Sequence, residues 1–163
     1  MSTLRYLNKS FTPGEPHIVW TSTGSNPREV RKATFKARML LGTYILQATR
    51  AAFNQTRNTQ CPMCKEGEED MVHFIAECPT LSPHRDHTMK MIMAIIPLVL
   101  QEHPLTGWSR ELLTQLILDP THPSIGAKIP MTTQCLLQIE KQSRLLCFKL
   151  HRARMVKMAL IEQ

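Results

Sequence analysis

The chain has 163 residues, of which 42% are hydrophobic and 20% are charged, and this composition excludes wholesale disorder and suits one domain or two small lobes. Only 6% of the residues are aromatic, whereas ten are Met and eleven are Pro, so the expected core is aliphatic and Met-rich. The net charge of +7 suggests a polyanionic partner but does not identify one.

The first predicted element is a basic helix over residues 27–57. Asn26 can cap this helix, Pro27 suits its first position, and Glu29 completes a pattern like a capping box. Apolar residues then recur at helical spacing. Gly42 is expected to kink the helix or divide it in two.

Further helices are predicted downstream. Asp70 is expected to start a short helix that runs through Glu77. The next helix is predicted to begin with a capping residue followed by a first-turn proline, and a proline ends the helix after it. The last predicted helix contains no Pro or Gly and has one apolar face. These three helices are predicted over residues 83–96, 109–118 and 131–160. Because no strand pattern extends beyond short pieces, the predicted fold is mainly α, a helical scaffold without a substantial sheet.

The predicted organisation has three parts. The first part lacks a helical period and is punctuated by two Pro and two Gly residues, which predicts a lead or loop. The parts are an extended lead over residues 1–26, the basic helix with a zinc knuckle and a following helix over 27–100, and a C-terminal helical segment over 101–163 that packs on them.

The sharpest motif is a possible metal site. Cys61 and Cys64 form a C-x2-C turn, and His73 and Cys78 follow at a distance that a short turn can close. Zinc takes four tetrahedral sulfur or nitrogen ligands, and three thiolates with one imidazole leave no open position. Gly67 is expected to help the chain turn back. The motif therefore predicts one structural Zn²⁺ per chain.

Other interpretations of the Cys and His residues remain open. The cysteines of the motif could be chance residues, buried thiols or a disulfide, although their neighbours are polar and typical of a loop. His84 and His87 could replace His73, but the loop from Cys78 would be short, so they are interpreted as surface residues. Cys135 and Cys147 lie in aliphatic helical context and are interpreted as small core residues.

The sequence also bears on compartment and membrane association. The N-terminus lacks a signal-peptide pattern, which predicts an intracellular protein of the nucleus or cytoplasm that is not secreted. The longest apolar run, residues 91–100, is too short to span a bilayer, so no membrane partner is expected. Five Cys, an odd number, then favour metal ligands and buried thiols over disulfides.

A family resemblance extends from the basic helix to the C-terminus. Its segments are KARMLLGTY from Lys36, LQATR from Leu46, CPMC from Cys61, Glu69-Asp70, His73-Phe74-Ile75, Cys78, and the residues Ile139-Glu140, Ser143-Arg144, Cys147-Phe148, Leu150-His151 and Arg154. Together they resemble the zinc-knuckle tail that follows the polymerase in reverse transcriptases of non-LTR (LINE-type) retrotransposons. The gap between Cys64 and His73 is longer than that of retroviral nucleocapsid knuckles.

The resemblance implies a role but also a restriction. It implies the four ligands named above and a tail that grips template RNA or target DNA, with the reverse transcriptase core or another protein as a further partner. The chain lacks the Tyr/Phe-x-Asp-Asp motif of the polymerase and the carboxylate set of the nuclease that some of these elements carry. A non-catalytic fragment or relic is therefore expected.

Candidate contacts to nucleic acid come from the charge distribution. Residues 1–60 contain nine Lys and Arg against two acids, and residues 141–163 contain six against one, whereas the middle of the chain is acidic. The preferred phosphate-binding residues all belong to the basic helix and its continuation: Arg28, Arg31, Lys32, Lys36, Arg38 and Arg50. A second candidate set is Arg144, Lys149, Arg152 and Arg154. The alternative is a solvated helix face that binds nothing.

The knuckle loop and the aromatic residues contribute little to this interpretation. Four carboxylates, Glu66, Glu68, Glu69 and Asp70, make the loop an unlikely phosphate contact. Tyr44, Phe53 and Phe74 are expected to pack around the knuckle, Trp20 and Trp108 are isolated, and no base-stacking platform is predicted.

The sequence offers little support for an enzyme and leaves a protein-interaction module as the alternative function. No Gly-rich phosphate loop, H-E-x-x-H or G-x-S-x-G motif is present. A Cys–His nucleophile pair is conceivable, but a zinc site explains three of the five Cys better. No enzyme is therefore predicted. The alternative function is a zinc-stapled protein-interaction module. In it, a Met-rich stretch would dock a partner through Met89, Met91, Ile92, Met93, Ile95 and Ile96.

Overall fold

The computed structural model describes residues 4–10, 12–96 and 107–161. The described helices are α1 (Ile18–Thr21), α2 (Pro27–Leu40), α3 (Gln47–Ala52), α4 (Ser82–Ile95), α5 (Arg110–Leu118), α6 (Pro123–Gly126) and α7 (Thr133–Ile161). A π-helical turn (His73–Glu77) and a 3₁₀ turn (Pro79–Leu81) lie between α3 and α4. Within the described ranges the only β pairing is an isolated antiparallel bridge between Gln60 and Glu68. The predicted mainly α fold is confirmed.

The basic helix begins and is interrupted where the sequence predicts. The Asn26 side chain accepts a hydrogen bond from the Arg28 amide at 3.0 Å, and Pro27 occupies the first turn. The helix ends at Leu40 because Gly42 takes a left-handed backbone conformation (φ 68°). Gly42 thus divides the predicted element into α2 and α3.

Helix α7 forms the spine of the fold. It packs most extensively against α4 and α2 and also contacts α1, α5 and the π-helical turn. The buried apolar core that these elements share draws on the lead, the knuckle and every long helix. Its most enclosed members include Met39, Leu40, Phe74, Leu81, Ile92, Leu116, Leu146 and Leu150. The Met-rich stretch contributes to this core through Ile92 and Ile96, although Met91 is exposed.

Three charged side chains of α7 are buried, and each is paired with an opposite charge from an earlier segment. The pairs are Lys36–Glu140 at 2.5 Å, Glu29–Arg144 at 3.0 Å and Glu69–Arg154 at 2.7 Å. Because Lys36 and Glu140 are both fully buried, and the Lys36 ammonium also donates to the Ser143 hydroxyl at 2.7 Å, this pair lies wholly inside the protein.

The burial of these cations corrects part of the predicted phosphate-binding set. Lys36 has no exposed surface and cannot reach a phosphate, so its assignment to the nucleic-acid interface is wrong. The same applies to Arg144 and Arg154 from the second candidate set, which are 1% and 7% exposed. Burying a charged side chain is costly unless an opposite charge accompanies it. Each of these three cations forms such a pair with a carboxylate inside the fold.

Residues of the predicted lead contact Asp119, which follows the last residue of α5. The Asp119 carboxylate accepts hydrogen bonds from the Asn8 amide at 2.8 Å and from the Thr121 hydroxyl at 2.6 Å, and His17 Nε2 lies 3.2 Å from it. Helix α1 lies within the lead, which is therefore partly helical. The predicted boundary at residues 100–101 lies outside the described residues.

We predict that Lys36→Met destabilises the protein by about 3–5 kcal/mol, because the Glu140 carboxylate would remain buried without its cation. Urea denaturation of the two proteins measures the difference. Lys32→Met is the control, since Lys32 forms a partly exposed pair with Glu29 and should cost no more than about 1 kcal/mol. Adding Glu140→Met to the Lys36 variant should recover most of the loss. Equal effects of the two single variants would contradict a buried ion pair.

Acid stability should depend on Asp119. Burial would raise the pKa of this carboxyl, but its contacts with His17, Thr121 and Asn8 outweigh burial and lower the pKa from 3.8 to about 2. The ionised carboxylate therefore stabilises the fold above pH 3.8, and this contribution is lost as the pH falls towards about 2. Asp119→Asn should lower stability by roughly 2 kcal/mol at neutral pH and flatten the stability profile in that acid range. Glu15→Gln, at an exposed position, should leave the profile unchanged.

Candidate metal centre

A short hairpin positions the first two cysteines. The Cys61 amide donates to the Gly67 carbonyl at 3.0 Å, and the Lys65 amide donates back to the Cys61 carbonyl at 2.9 Å. Lys65 and Gly67 both take left-handed conformations, with φ 64° and 62°, which reverse the chain within a few residues. The hairpin turns Cys61 and Cys64 towards the same point.

The other two residues come from the π-helical turn. The Asp70 carboxylate accepts from the His73 amide at 2.8 Å and caps the turn. The Cys78 amide then donates to the His73 carbonyl at 2.7 Å, which is the wider hydrogen-bond pattern of a π turn. The predicted helix from Asp70 to Glu77 is therefore present, but its last turn is π-helical, and this turn places His73 beside Cys78.

The four predicted ligands meet in one cluster. The candidate ligand atoms of Cys61, Cys64, His73 and Cys78 all lie within 4.8 Å of one another. The Cys61 and Cys78 sulfurs are 3.9 Å apart, and the Cys64 sulfur is 3.3 Å from His73 Nε2. A tetrahedral ion with Zn–S bonds of about 2.3 Å separates its sulfurs by about 3.8 Å. The observed spacing fits that geometry.

Without a metal, the two buried cysteines would be neutral thiols. Cys61 and Cys78 have no exposed surface, and burial raises the pKa of both thiols, that of Cys61 to about 12. A divalent metal would displace the thiol protons and supply the positive charge that buried thiolates require. Three thiolates and one imidazole form a closed ligand set, which is typical of structural sites.

Glu77 and Gly67 lie near the histidine of the cluster. With Nε2 turned towards Cys64, His73 has Nδ1 3.7 Å from the Glu77 carboxylate. This distance is too long for a hydrogen bond. Gly67 approaches the same ring, since a Cβ on it would lie 3.5 Å from Nδ1 and Cε1. The position of Gly67 thus combines a left-handed turn with close contact to the histidine.

The remaining Cys and His candidates lie elsewhere. His84 and His87 are on α4 and are not among the clustered residues that the described ranges contain. Cys147 is fully buried in α7, as predicted, whereas Cys135 is only partly buried, with its sulfur 3.8 Å from the Ile95 carbonyl.

Glu69 joins the hairpin to the helical scaffold, a role that sequence reasoning missed. Its carboxylate accepts from Arg154 Nε at 2.7 Å and from the Gln47 amide at 2.8 Å, and its carbonyl accepts from the Ala48 amide at 3.2 Å. Glu69 therefore holds the start of α3 and the end of α7 against the knuckle. The sequence grouped it with Glu66 and Glu68, which are exposed, because only the fold distinguishes them.

The cations predicted to bind phosphate fall into separate groups. Arg28, Arg31 and Arg38 are exposed on α2, and no carboxylate in the described ranges lies within salt-bridge distance of them. Lys32 is engaged by Glu29 at 2.6 Å. Arg50 is partly buried on α3, apart from the α2 group.

The expected aromatic packing around the knuckle is partly present. Tyr44 and Phe74 stack with ring centroids 5.7 Å apart, as predicted. Phe53 is 68% exposed, so the expectation that it packs there is wrong.

No protein-family model, no curated protein and no solved structure matches the chain. None of the helices in the described parts of the chain is long and apolar enough to cross a membrane.

We predict that Cys64→Ser or His73→Ala prevents metal binding, because each removes one of four converging ligands. Elemental analysis of protein purified without added metal measures the effect, and the parent should contain about one zinc per chain. Cys135→Ser, outside the cluster, is the matched control and should retain the metal. Chelation should raise amide hydrogen exchange over residues 58–80, since metal binding and folding of such a hairpin are coupled. A fully folded parent without metal would contradict the prediction.

Proposed function

We propose that this chain is a non-catalytic nucleic-acid-binding module in which one Zn²⁺, held by Cys61, Cys64, His73 and Cys78, braces a helical scaffold. The zinc assignment is supported by the closed Cys₃His donor set and by its ligand atoms, which all lie within 4.8 Å of one another. With no open ligand position, the ion would act structurally. The proposed binding surface lies on the scaffold and not on the metal.

The observation that carries the proposal is an arginine stripe on α2, formed by Arg28, Arg31 and Arg38. The residues are separated by three and seven positions, which places them on one side of the helix. All three are exposed, and the ion pairs of the scaffold leave them unengaged within the described ranges. Unpaired guanidinium groups in a row suit the phosphates of a nucleic-acid backbone.

The acidic residues of the knuckle also favour the arginine stripe as the binding surface. Glu66, Glu68 and Asp70 are exposed at the tip of the knuckle, which would repel phosphates. The stripe lies on the other side of Gly42 in the chain, on a different helix. We infer that RNA or DNA approaches along the arginines of α2 and not along the acidic knuckle, in keeping with the proposed kinship to the tail of non-LTR reverse transcriptases.

A zinc-braced protein-interaction module is the second candidate. The Met-rich stretch does not favour it, since Ile92 and Ile96 are core residues. A cleft of about 550 Å³ does favour it. The apolar part of its lining includes Met39, Leu46 and the highly exposed Phe53. Such a cleft suits an apolar side chain of a partner protein.

We predict that replacing Arg28, Arg31 and Arg38 together with Gln weakens RNA and DNA binding and lowers the slope of log affinity against log salt by about one unit per lost phosphate contact. Fluorescence anisotropy over a salt series measures both quantities. Glu66→Gln with Glu68→Gln is the control and should leave binding unchanged or slightly tighter. Glu69 is left intact because its replacement would disturb the scaffold.

The outcomes separate the two candidates. If the parent binds neither RNA nor DNA at moderate salt, the nucleic-acid proposal fails and the cleft becomes the surface to test. If the parent binds and the arginine variant binds equally well, the stripe is not the contact surface.

A further inference from the structure

We propose that an aromatic patch formed by Phe35, Phe148 and His151 stacks unpaired bases, so that the nucleic acid bound by this chain is single-stranded. The inference rests on the proposed function and adds the class of ligand to it. The patch lies where α2 and α7 contact each other, beside the arginine stripe.

The three rings of the patch pack against one another and share a partly exposed surface. Phe35 stacks on His151 with centroids 3.8 Å apart and an interplanar angle of 21°. Phe148 lies 5.7 Å from Phe35 and 6.5 Å from His151. All three side chains are only partly buried, so part of this surface faces solvent.

The patch and the stripe share one side of the molecule. Phe35 lies four residues after Arg31 and three before Arg38, which places it in line with both on α2. The Arg31 guanidinium carbon lies 5.8 Å from the centroid of the Phe148 ring. On α7, the exposed Arg152 follows Phe148 by four residues and so lies on the same side. Cations therefore surround the rings.

His151 contributes to the patch as a neutral ring. Burial and the nearby charges of Arg38, Arg154 and Arg31 all lower the pKa of this imidazole. The Tyr44 hydroxyl lies 2.9 Å from Nδ1 and fixes the orientation of the ring. The stack covers the facing sides of the His151 and Phe35 rings, so a base would stack on the parts of the patch that remain exposed.

Rings flanked by guanidinium groups match a single strand better than a duplex. Single-strand binding combines cations that follow the backbone with aromatic side chains on which successive bases stack. A duplex keeps its bases stacked on one another, so it can engage the arginine stripe but not the ring faces. If the three rings served only to pack α2 against α7, the protein would show no preference for a single strand over a duplex.

The test compares binding of an oligouridylate of about twelve nucleotides, the same length of abasic strand, and an RNA duplex to the full zinc-loaded chain. Fluorescence anisotropy at one salt concentration gives the affinities. The parent should bind the oligouridylate about 5- to 100-fold more tightly than the abasic strand. Phe148→Leu should remove most of this preference and change duplex binding less than about twofold.

Phe53→Leu is the matched control, because Phe53 is an exposed phenylalanine outside the patch, and it should leave all three affinities unchanged. Equal binding of the oligouridylate and the abasic strand by the parent would overturn the stacking proposal, whether or not Phe148→Leu folds. If that equality occurs while the arginine variant still loses binding, the proposed function stands and only the inference fails. If the parent binds no nucleic acid, the proposed function fails first.

Discussion

The fold depends on the pairing of the charges that α7 carries into the interior. Glu140, Arg144 and Arg154 are buried, and each would be costly alone in a medium of low polarity. Each meets a partner from a different part of the chain: Lys36 in the middle of α2, Glu29 at its start and Glu69 in the knuckle hairpin. Because an ion pair is directional, these contacts fix how α7 lies against α2 and the knuckle, which apolar packing alone specifies less sharply.

The candidate metal cluster and the buried Glu69–Arg154 ion pair both include residues of the same hairpin. Through a bound ion, the four clustered residues would hold the hairpin to the π-helical turn, and Glu69 holds it to α3 and α7. A bound ion would therefore order the knuckle and also keep the Glu69 carboxylate where Arg154 needs it. Loss of the metal would release one partner of a buried ion pair, so its effect would extend beyond the knuckle into α7.

Local sequence signals predicted the helices and the clustering of the four candidate metal ligands well, because those features depend mostly on residues near one another in the chain. The cap at Asn26, the break at Gly42 and the ligand spacing are all of this kind. Whether an individual charged side chain is buried or exposed could not be predicted in the same way. Lys36 and Arg38 lie two residues apart on one helix, yet one is fully buried and the other exposed. Which one is buried depends on Glu140, a residue whose proximity only the fold establishes.

The same limitation hid the aromatic patch. Phe35 is a single aromatic residue in α2, and Phe148 is equally isolated in α7, so neither helix alone shows the interleaving of rings and cations that marks a stacking surface. The packing of α2 on α7 brings them together, and the ion pairs that enforce that packing remove Lys36 and Arg144 from the surface. The cations left exposed there lie beside the rings. Arg31, Arg38 and Arg152 thus stay exposed beside the rings, which is the arrangement that the proposed contact with both phosphates and bases would use.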